Sequence, residues 1–236
     1  MDQISLFSAE ASRPAVADLA GVLCGPGQIT SFARTAARLS VVVDERLRAD
    51  VLAAEYRCRG VSAEVGPSEC GRHLVWTAFR VDLIALATGW NAGSAKTVPD
   101  GFRLDGGALR MWALAAGRRI DTGYLLPLDA GAAATYGRLA AGVDELGLAG
   151  KLLDARCGGP GVRVAGRRRL ERLAELLGGV PAGAEELWPL CPEEAEAPDR
   201  GRTACPNTVL PASAVLPSPA VPVPASRDGQ LDLLSA

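Results

Sequence analysis

Leu19-Ala20-Gly21-Val22-Leu23-Cys24-Gly25-Pro26-Gly27 is the stretch on which the fold turns. It reads as an apolar helix with small residues along one side. Gly-Pro-Gly stops it, because proline cannot continue the hydrogen-bond ladder and glycine accepts the turn that follows. Leu109-Arg110-Met111-Trp112-Ala113-Leu114-Ala115-Ala116-Gly117 has the same character. Each stretch runs into a glycine and then into strand-like sequence. Ala20, Gly21, Ala113 and Ala115 permit close backbone approach, so the two helices are expected to pair as the axis of a pseudo-symmetric domain.

Working outward from the first helix, assigned to residues 15–25, Gln28-Ile29-Thr30 and Leu39 to Val43 read as a strand pair. Asp44-Glu45 opens a helix with negative charge at its N-terminus, running to about Arg57 with Leu47, Val51, Leu52 and Tyr56 on one face. Val61 to Val65 and His73 to Arg80 form a second strand pair around a Gly-Pro turn, and Val81 to Thr88 a short helix. Residues 89–106, rich in Gly, Asn, Pro and Asp, look like a connector. The order then returns: helix Ala108 to Ala116, strands Arg119 to Asp121 and Tyr124 to Leu128, helix Ala132 to Leu146, strands Lys151 to Arg156 and Val162 to Ala165, helix Arg167 to Leu177. The expectation is an α+β fold of two pseudo-symmetric α-ββ-α-ββ-α repeats, residues 15–90 and 107–179, in a domain spanning 15–183.

The flanks differ in composition. Residues 1–14 read as an exposed N-terminal arm. Residues 189–224 hold nine of the 16 prolines, so 184–228 reads as an extended, disordered Pro-rich linker leading to a terminal peptide, 229–236. The net charge of −2 is unevenly spread. From Glu185 onward there are 8 acidic and 3 basic residues, leaving 22 basic against 19 acidic in residues 1–184. A mildly basic body with an acidic tail permits a nucleic-acid partner. The six cysteines form no Cys-x-x-Cys pair and there is one histidine, His73, so neither a metal site nor another cofactor is expected. Met1-Asp2-Gln3 lacks the basic-then-apolar order of a signal peptide, and no apolar run is long enough to cross a bilayer. A cytoplasmic, nucleoid-associated monomer without membrane contact is expected.

Gln3, Ser5, Leu6 and Phe7, with Ile4 between, are similar to the bacterial sliding-clamp-binding pentapeptide Gln-Leu-Ser/Asp-Leu-Phe. Gln230-Leu231-Asp232-Leu233-Leu234 resembles it again, with Leu234 in place of Phe. An amide fixes the register of such a peptide and the apolar pair fills a pocket. The resemblance implies that Gln3, Leu6 and Phe7, with Gln230, Leu231, Leu233 and Leu234, bind the DNA polymerase sliding clamp. Two linked peptides gain avidity if they reach two pockets.

The helix-hairpin-helix-hairpin-helix order, with Leu19-Ala20-Gly21-Val22-Leu23, resembles the LAGLIDADG homing endonucleases. The second half, through Trp112 to Gly117, Gly147 to Lys151 and Gly166 to Gly178, is similar to the N-terminal domain of the WhiA regulators. In the nucleases an acidic residue before each terminal glycine holds divalent metal; here Pro26 and Ala116 stand there. No helix-turn-helix follows residue 183. The resemblance therefore implies a DNA-associated protein that is not an enzyme. In this fold the uncovered sheet faces form a saddle for duplex DNA, and alternation offers Arg119, Arg156 and Arg163 there, with Arg167, Arg168 and Arg169 beside them. The first half, with Asp44 and Glu64, offers less to phosphate. The expected role is a clamp-binding adaptor in replication or repair. The alternatives are a WhiA-like transcription regulator and a metal-dependent endonuclease with a relocated site.

Overall fold

The computed structural model describes residues 8–154 and 159–189. Both terminal peptides, Arg156 and the Pro-rich segment from residue 190 onward lie outside the described residues. The fold is mixed α+β, with six α-helices and antiparallel sheets among the described residues. No helix among them is long and apolar enough to cross a membrane.

A 3-10 turn, Val16–Leu19, leads into α1 (Ala20–Cys24), which ends at Gly25. Five residues are too few for a helix to persist alone, so α1 depends on what it packs against. That partner is α4 (Gly106–Ala116), started by the Asp105 carboxylate accepting from the Ala108 N–H at 2.8 Å. All of α1 and nine of the eleven residues of α4 are buried, as expected for helices that are apolar all round. A Cβ on Gly21 would lie 1.8 Å from the Ala108 carbonyl oxygen and 2.9 Å from the Trp112 nitrogen. One on Gly25 would lie 3.1 Å from the Trp112 ring and 3.5 Å from the Ala116 methyl. The contact therefore runs along Ala108, Trp112 and Ala116, spaced by four on one face of α4. Ala113 and Ala115, expected at this contact, are buried but are not what meets Gly21.

The first sheet contains β1 (Gln28–Phe32), β2 (Ala36–Val43), β3 (Ala63–Pro67) and β4 (His73–Thr77), in the order β1-β2-β4-β3. Along β2, Ala37, Leu39, Val41 and Val43 are buried and the residues between them are half-buried, a period of two with one covered face. Two helices, α2 (Arg46–Cys58) and α3 (Ile84–Trp90), pack on this sheet. In α2 the buried residues include Val51, Leu52 and Tyr56 as expected, but Leu47 is exposed. A small hairpin, β5 (Asn91–Ala92) and β6 (Ala95–Lys96), occupies what sequence suggests is plain connector.

The second sheet contains β7 (Arg118–Ile120), β8 (Gly123–Pro127), β9 (Lys151–Leu153) and β10 (Gly161–Val164), in the order β7-β8-β10-β9. Two further helices, α5 (Tyr136–Glu145) and α6 (Arg167–Leu177), complete the element order. α5 packs on β9 and β10, and α6 against α4. α5 begins four residues later than its composition suggests, because Ala133–Thr135 is wound as a 3-10 turn.

A chain of charges ties these helices together. Arg59 Nε bonds the Asp18 carboxylate at 3.0 Å, and Arg59 Nη1 bonds Glu55 at 2.6 Å. Arg110 Nη2 bonds the other Glu55 oxygen at 2.7 Å, and Arg110 Nη1 reaches the Leu177 and Gly179 carbonyls at the end of α6. Burial opposes ionisation of Glu55, but the hydrogen bonds from Arg110 and Arg59 outweigh it and hold the carboxyl below its ordinary value.

The end of α6 also receives both ends of the described domain. Ala9 N–H donates to the Leu176 carbonyl at 2.9 Å, and Gly179 N–H donates to the Glu10 carboxylate at 2.6 Å. Trp188 Nε1 donates to the Gly178 carbonyl at 3.1 Å, and the Arg110 guanidinium lies over the Trp188 ring. Two expected boundaries move as a result. Ser8 is buried rather than part of an exposed arm. Ala184, Leu187 and Trp188 are buried, so the packed domain runs past residue 183 to at least Pro189.

Three substitutions are expected to change stability in urea. Gly21→Ala is expected to cost about 3 kcal/mol or more, because backbone must move to admit the methyl. Gly137→Ala in α5, where a Cβ meets open space, is expected to gain about 0.8 kcal/mol. Replacing Glu55 by Gln removes the carboxylate shared by Arg59 and Arg110, leaving Arg59 with Asp18 and Arg110 with carbonyls alone, for a loss of about 2 kcal/mol at neutral pH. Because the folded Glu55 pKa is depressed, its contribution is present above the unfolded value near 4.5 and lost as pH falls through the folded one. The Glu55→Gln protein is therefore expected to lose stability less steeply than the parent in that acid window.

Candidate nucleic-acid interface and the base of the helix pair

The C-terminal ends of α1 and α4 are each closed by a half-buried cation. Lys96, on β6, donates from Nζ to the Gly25 carbonyl at 2.6 Å, the Gly27 carbonyl at 2.8 Å and Asp129 Oδ2 at 3.1 Å. Gln28 Nε2 donates to the same Asp129 oxygen at 2.5 Å. Arg48, on α2, donates to the Ala113 and Leu114 carbonyls at 3.3 and 2.9 Å and to the Gly117 carbonyl at 2.8 Å. Helix ends leave carbonyls without internal partners, and these side chains satisfy them. Burial lowers both cations from their ordinary pKa values; Asp129 offsets part of this for Lys96, and Tyr124, Glu45 and Asp44 for Arg48.

Pro26 and Ala116 stand beside these closed ends. They line a cleft of about 370 Å³ together with Gln28, Arg48, Arg118 and Pro127. The cleft lies between the outer face of the first sheet, at Ser40, Val42 and Leu74, and the start of β7. Among the described residues, no three His, Cys, Asp or Glu side chains converge as a metal ligand set. Asp18, the acidic residue nearest in sequence to α1, is at the helix's opposite end, bonded to Arg59.

The register of the second sheet sorts the arginines. Arg118 pairs with Leu125, Leu125 with Arg163, and Arg163 with Lys151, so these four side chains share one face across all four strands. Arg119 pairs with Tyr124, which pairs with Val164, and so belongs to the opposite, packed face. There Arg119 Nε donates to the Trp188 carbonyl at 2.5 Å and its Nη2 to the Glu185 carbonyl. Alternation alone groups Arg119 with Arg163; the pairing separates them and puts Arg118 and Lys151 beside Arg163 instead. Arg163 Nη1 donates to Thr122 Oγ1 at 3.3 Å. Arg167, Arg168 and Arg169 are exposed at the start of α6, with Arg167 paired to Glu171 at 2.8 Å and Arg169 reaching the Ala165 carbonyl at 3.5 Å. Arg156 lies outside the described residues.

On the first sheet, Asp44 is paired with Arg72 at 3.3 Å. Arg38 lies on the outer face with Ser40 and Trp76. The face is thus less hostile to phosphate than Asp44 and Glu64 alone suggest. Neither Lys96 nor Arg48 announces itself in the sequence, because their partners come from segments distant along the chain. Cys70 is a further departure from a set of ordinary thiols. Hydrogen bonds from Ser68 and Arg72 bring this exposed group down to about 7.

With this geometry in hand, comparison with known proteins adds no class: no protein-family model matches the chain, and no curated protein sequence matches it.

The Lys96–Asp129 pair gives a sharp stability expectation. Lys96→Met leaves a carboxylate facing two carbonyl oxygens and is expected to cost about 3 kcal/mol. Adding Asp129→Leu removes the stranded charge, and the double variant is expected to recover most of that loss in denaturant titrations.

Proposed function

We propose that the chain is a non-catalytic DNA-associated adaptor on a degenerate, duplicated LAGLIDADG-like fold resembling the WhiA N-terminal domain. It docks on the bacterial DNA polymerase sliding clamp through its terminal peptides and rests on duplex DNA through its open sheet faces. The observation that carries the reading is the base of the helix pair. Two carbonyl oxygens and a carboxylate surround a cation there, and that cation is the Lys96 ammonium. A divalent metal in this position would have to displace a buried protein charge. The same strand order in both sheets, each following a helix of the central pair, supports duplication.

The basic row Arg118, Arg163 and Lys151, with Arg167 to Arg169 beside it, supports contact with phosphates. The meeting of both domain ends at α6 supports the peptide reading. Ala9, Glu10 and Trp188, which bound the described domain at its two ends, meet at the end of α6, and two linked peptides gain avidity on a partner with two pockets. The regulator alternative draws on the same basic row. The endonuclease alternative finds Asp129 at this base, a carboxylate that Lys96 already neutralises.

Pull-down of the purified full chain on the clamp tests the adaptor reading. Leu6→Ala/Phe7→Ala and Leu233→Ala/Leu234→Ala are each expected to weaken binding, and the four changes together to abolish it. Absence of binding by the parent protein removes the adaptor reading and leaves the regulator. Duplex retention is expected to fall steeply with salt, with a shallower slope after Arg163→Ala/Lys151→Ala. Magnesium-dependent nicking that survives purification would overturn the non-catalytic assignment.

A further inference from the structure

The chain has few aromatic residues, and five of the ten among the described residues are buried. Tyr56, Trp90, Trp112, Tyr124 and Trp188 are all in the core. Among the described residues the exposed aromatics are Phe32 and Phe79, 63% and 46% accessible. They lie together at the outer end of the first sheet, ring centroids 5.7 Å apart and tilted by 55°. The Arg38 guanidinium continues the row, 5.6 Å from the Phe79 ring and 5.9 Å from the half-buried Trp76 ring. Phe32, Phe79, Arg38 and Trp76 thus make one ladder of flat groups.

The ladder is held rigidly by backbone. Ala37 and Arg80 exchange both hydrogen bonds, at 2.9 and 2.8 Å, which fastens the segment carrying Phe79 beside β2. Arg38 Nε donates to the Thr77 carbonyl at 3.1 Å. Thr35 donates from N and Oγ1 to the Phe32 carbonyl, closing the β1–β2 turn. That turn holds Ala33 and Arg34 at φ of 47° and 58°, conformations an L side chain adopts only at a cost. Arg34 is exposed at its tip.

From this arrangement we infer that the first sheet binds single-stranded DNA by stacking unpaired bases on Phe32 and Phe79, with Arg34 and Arg38 beside the strand. The inference rests on the nucleic-acid reading above and narrows it. Flat apolar rings bordered by guanidinium groups match the two surfaces of a single strand, base faces and phosphates. In a duplex the base faces are stacked against one another and closed to such a platform. The two sheets then divide the work: the basic row of the second meets phosphate of paired or unpaired strands, and the ladder of the first selects unpaired bases.

The test uses the full chain with a labelled oligothymidine and a hairpin duplex of equal length, read by fluorescence anisotropy. The single strand is expected to bind more tightly and to quench tryptophan emission. Trp76→Phe is expected to remove most of that quenching, because the other three tryptophans are buried. Phe32→Ala/Phe79→Ala is expected to weaken single-strand binding about tenfold or more and leave duplex binding and thermal unfolding unchanged. Phe32→Leu/Phe79→Leu keeps apolar surface without π faces and is expected to weaken it as well. Duplex binding that equals or exceeds single-strand binding, with no effect of the phenylalanine changes, overturns the inference while the nucleic-acid reading stands. Binding to neither probe overturns both. Loss of self-association in the phenylalanine variants, without loss of DNA binding, reassigns the ladder to contact between copies of the chain.

Discussion

Gly21 against the backbone of Ala108 is the contact on which the rest of the structure depends. A five-residue helix has almost no stability of its own, and α1 persists because it lies against α4 with no side chain between them at Gly21. The two helices then present their C-terminal ends side by side. Each end feeds a strand, so the spacing of the helix pair sets where both sheets begin. Trp112 fills the groove beside Gly25, and its Nε1 donates to the Pro127 carbonyl at 2.8 Å, linking the pair to β8. Packing at one glycine thereby fixes the cleft between the sheets.

Charge is arranged around that packing. Two cations close the helix ends on the cleft side, Lys96 from a hairpin and Arg48 from α2. At the far side, Asp18, Arg59, Glu55 and Arg110 form a line from the start of α1 to the end of α6. Every member of that line is paired, so the ion pairs hold charges that would be costly alone. The same line anchors Trp188, and with Glu10 it brings both domain ends to one corner.

The two outer faces are chemically different although the strands are ordered alike. The second carries a row of cations around a buried Leu125. The first carries Ser40, Val42 and Leu74 at the cleft and aromatic rings at its outer end. A shared strand order does not require a shared surface, since outward positions are free of the packing that constrains inward ones.

The sequence by itself determined the main element order, apart from the β5–β6 hairpin, and the pairing of two small-residue helices, because both rest on local signals: periodicity, glycine stops and lack of side-chain bulk. It also marked Pro26 and Ala116 as positions without carboxylates. It misassigned Arg119, because a three-residue strand with adjacent arginines has no alternation to read, and a one-residue change of register exchanges the faces. It was silent on Lys96, which stands in a segment resembling plain loop. Lys96 acquires its role from carbonyls near residue 25 and a carboxylate at residue 129, and only folding brings those together. Likewise Phe32, Arg38, Trp76 and Phe79 belong to three segments, and pairing of β2 with its neighbours is what makes them one surface.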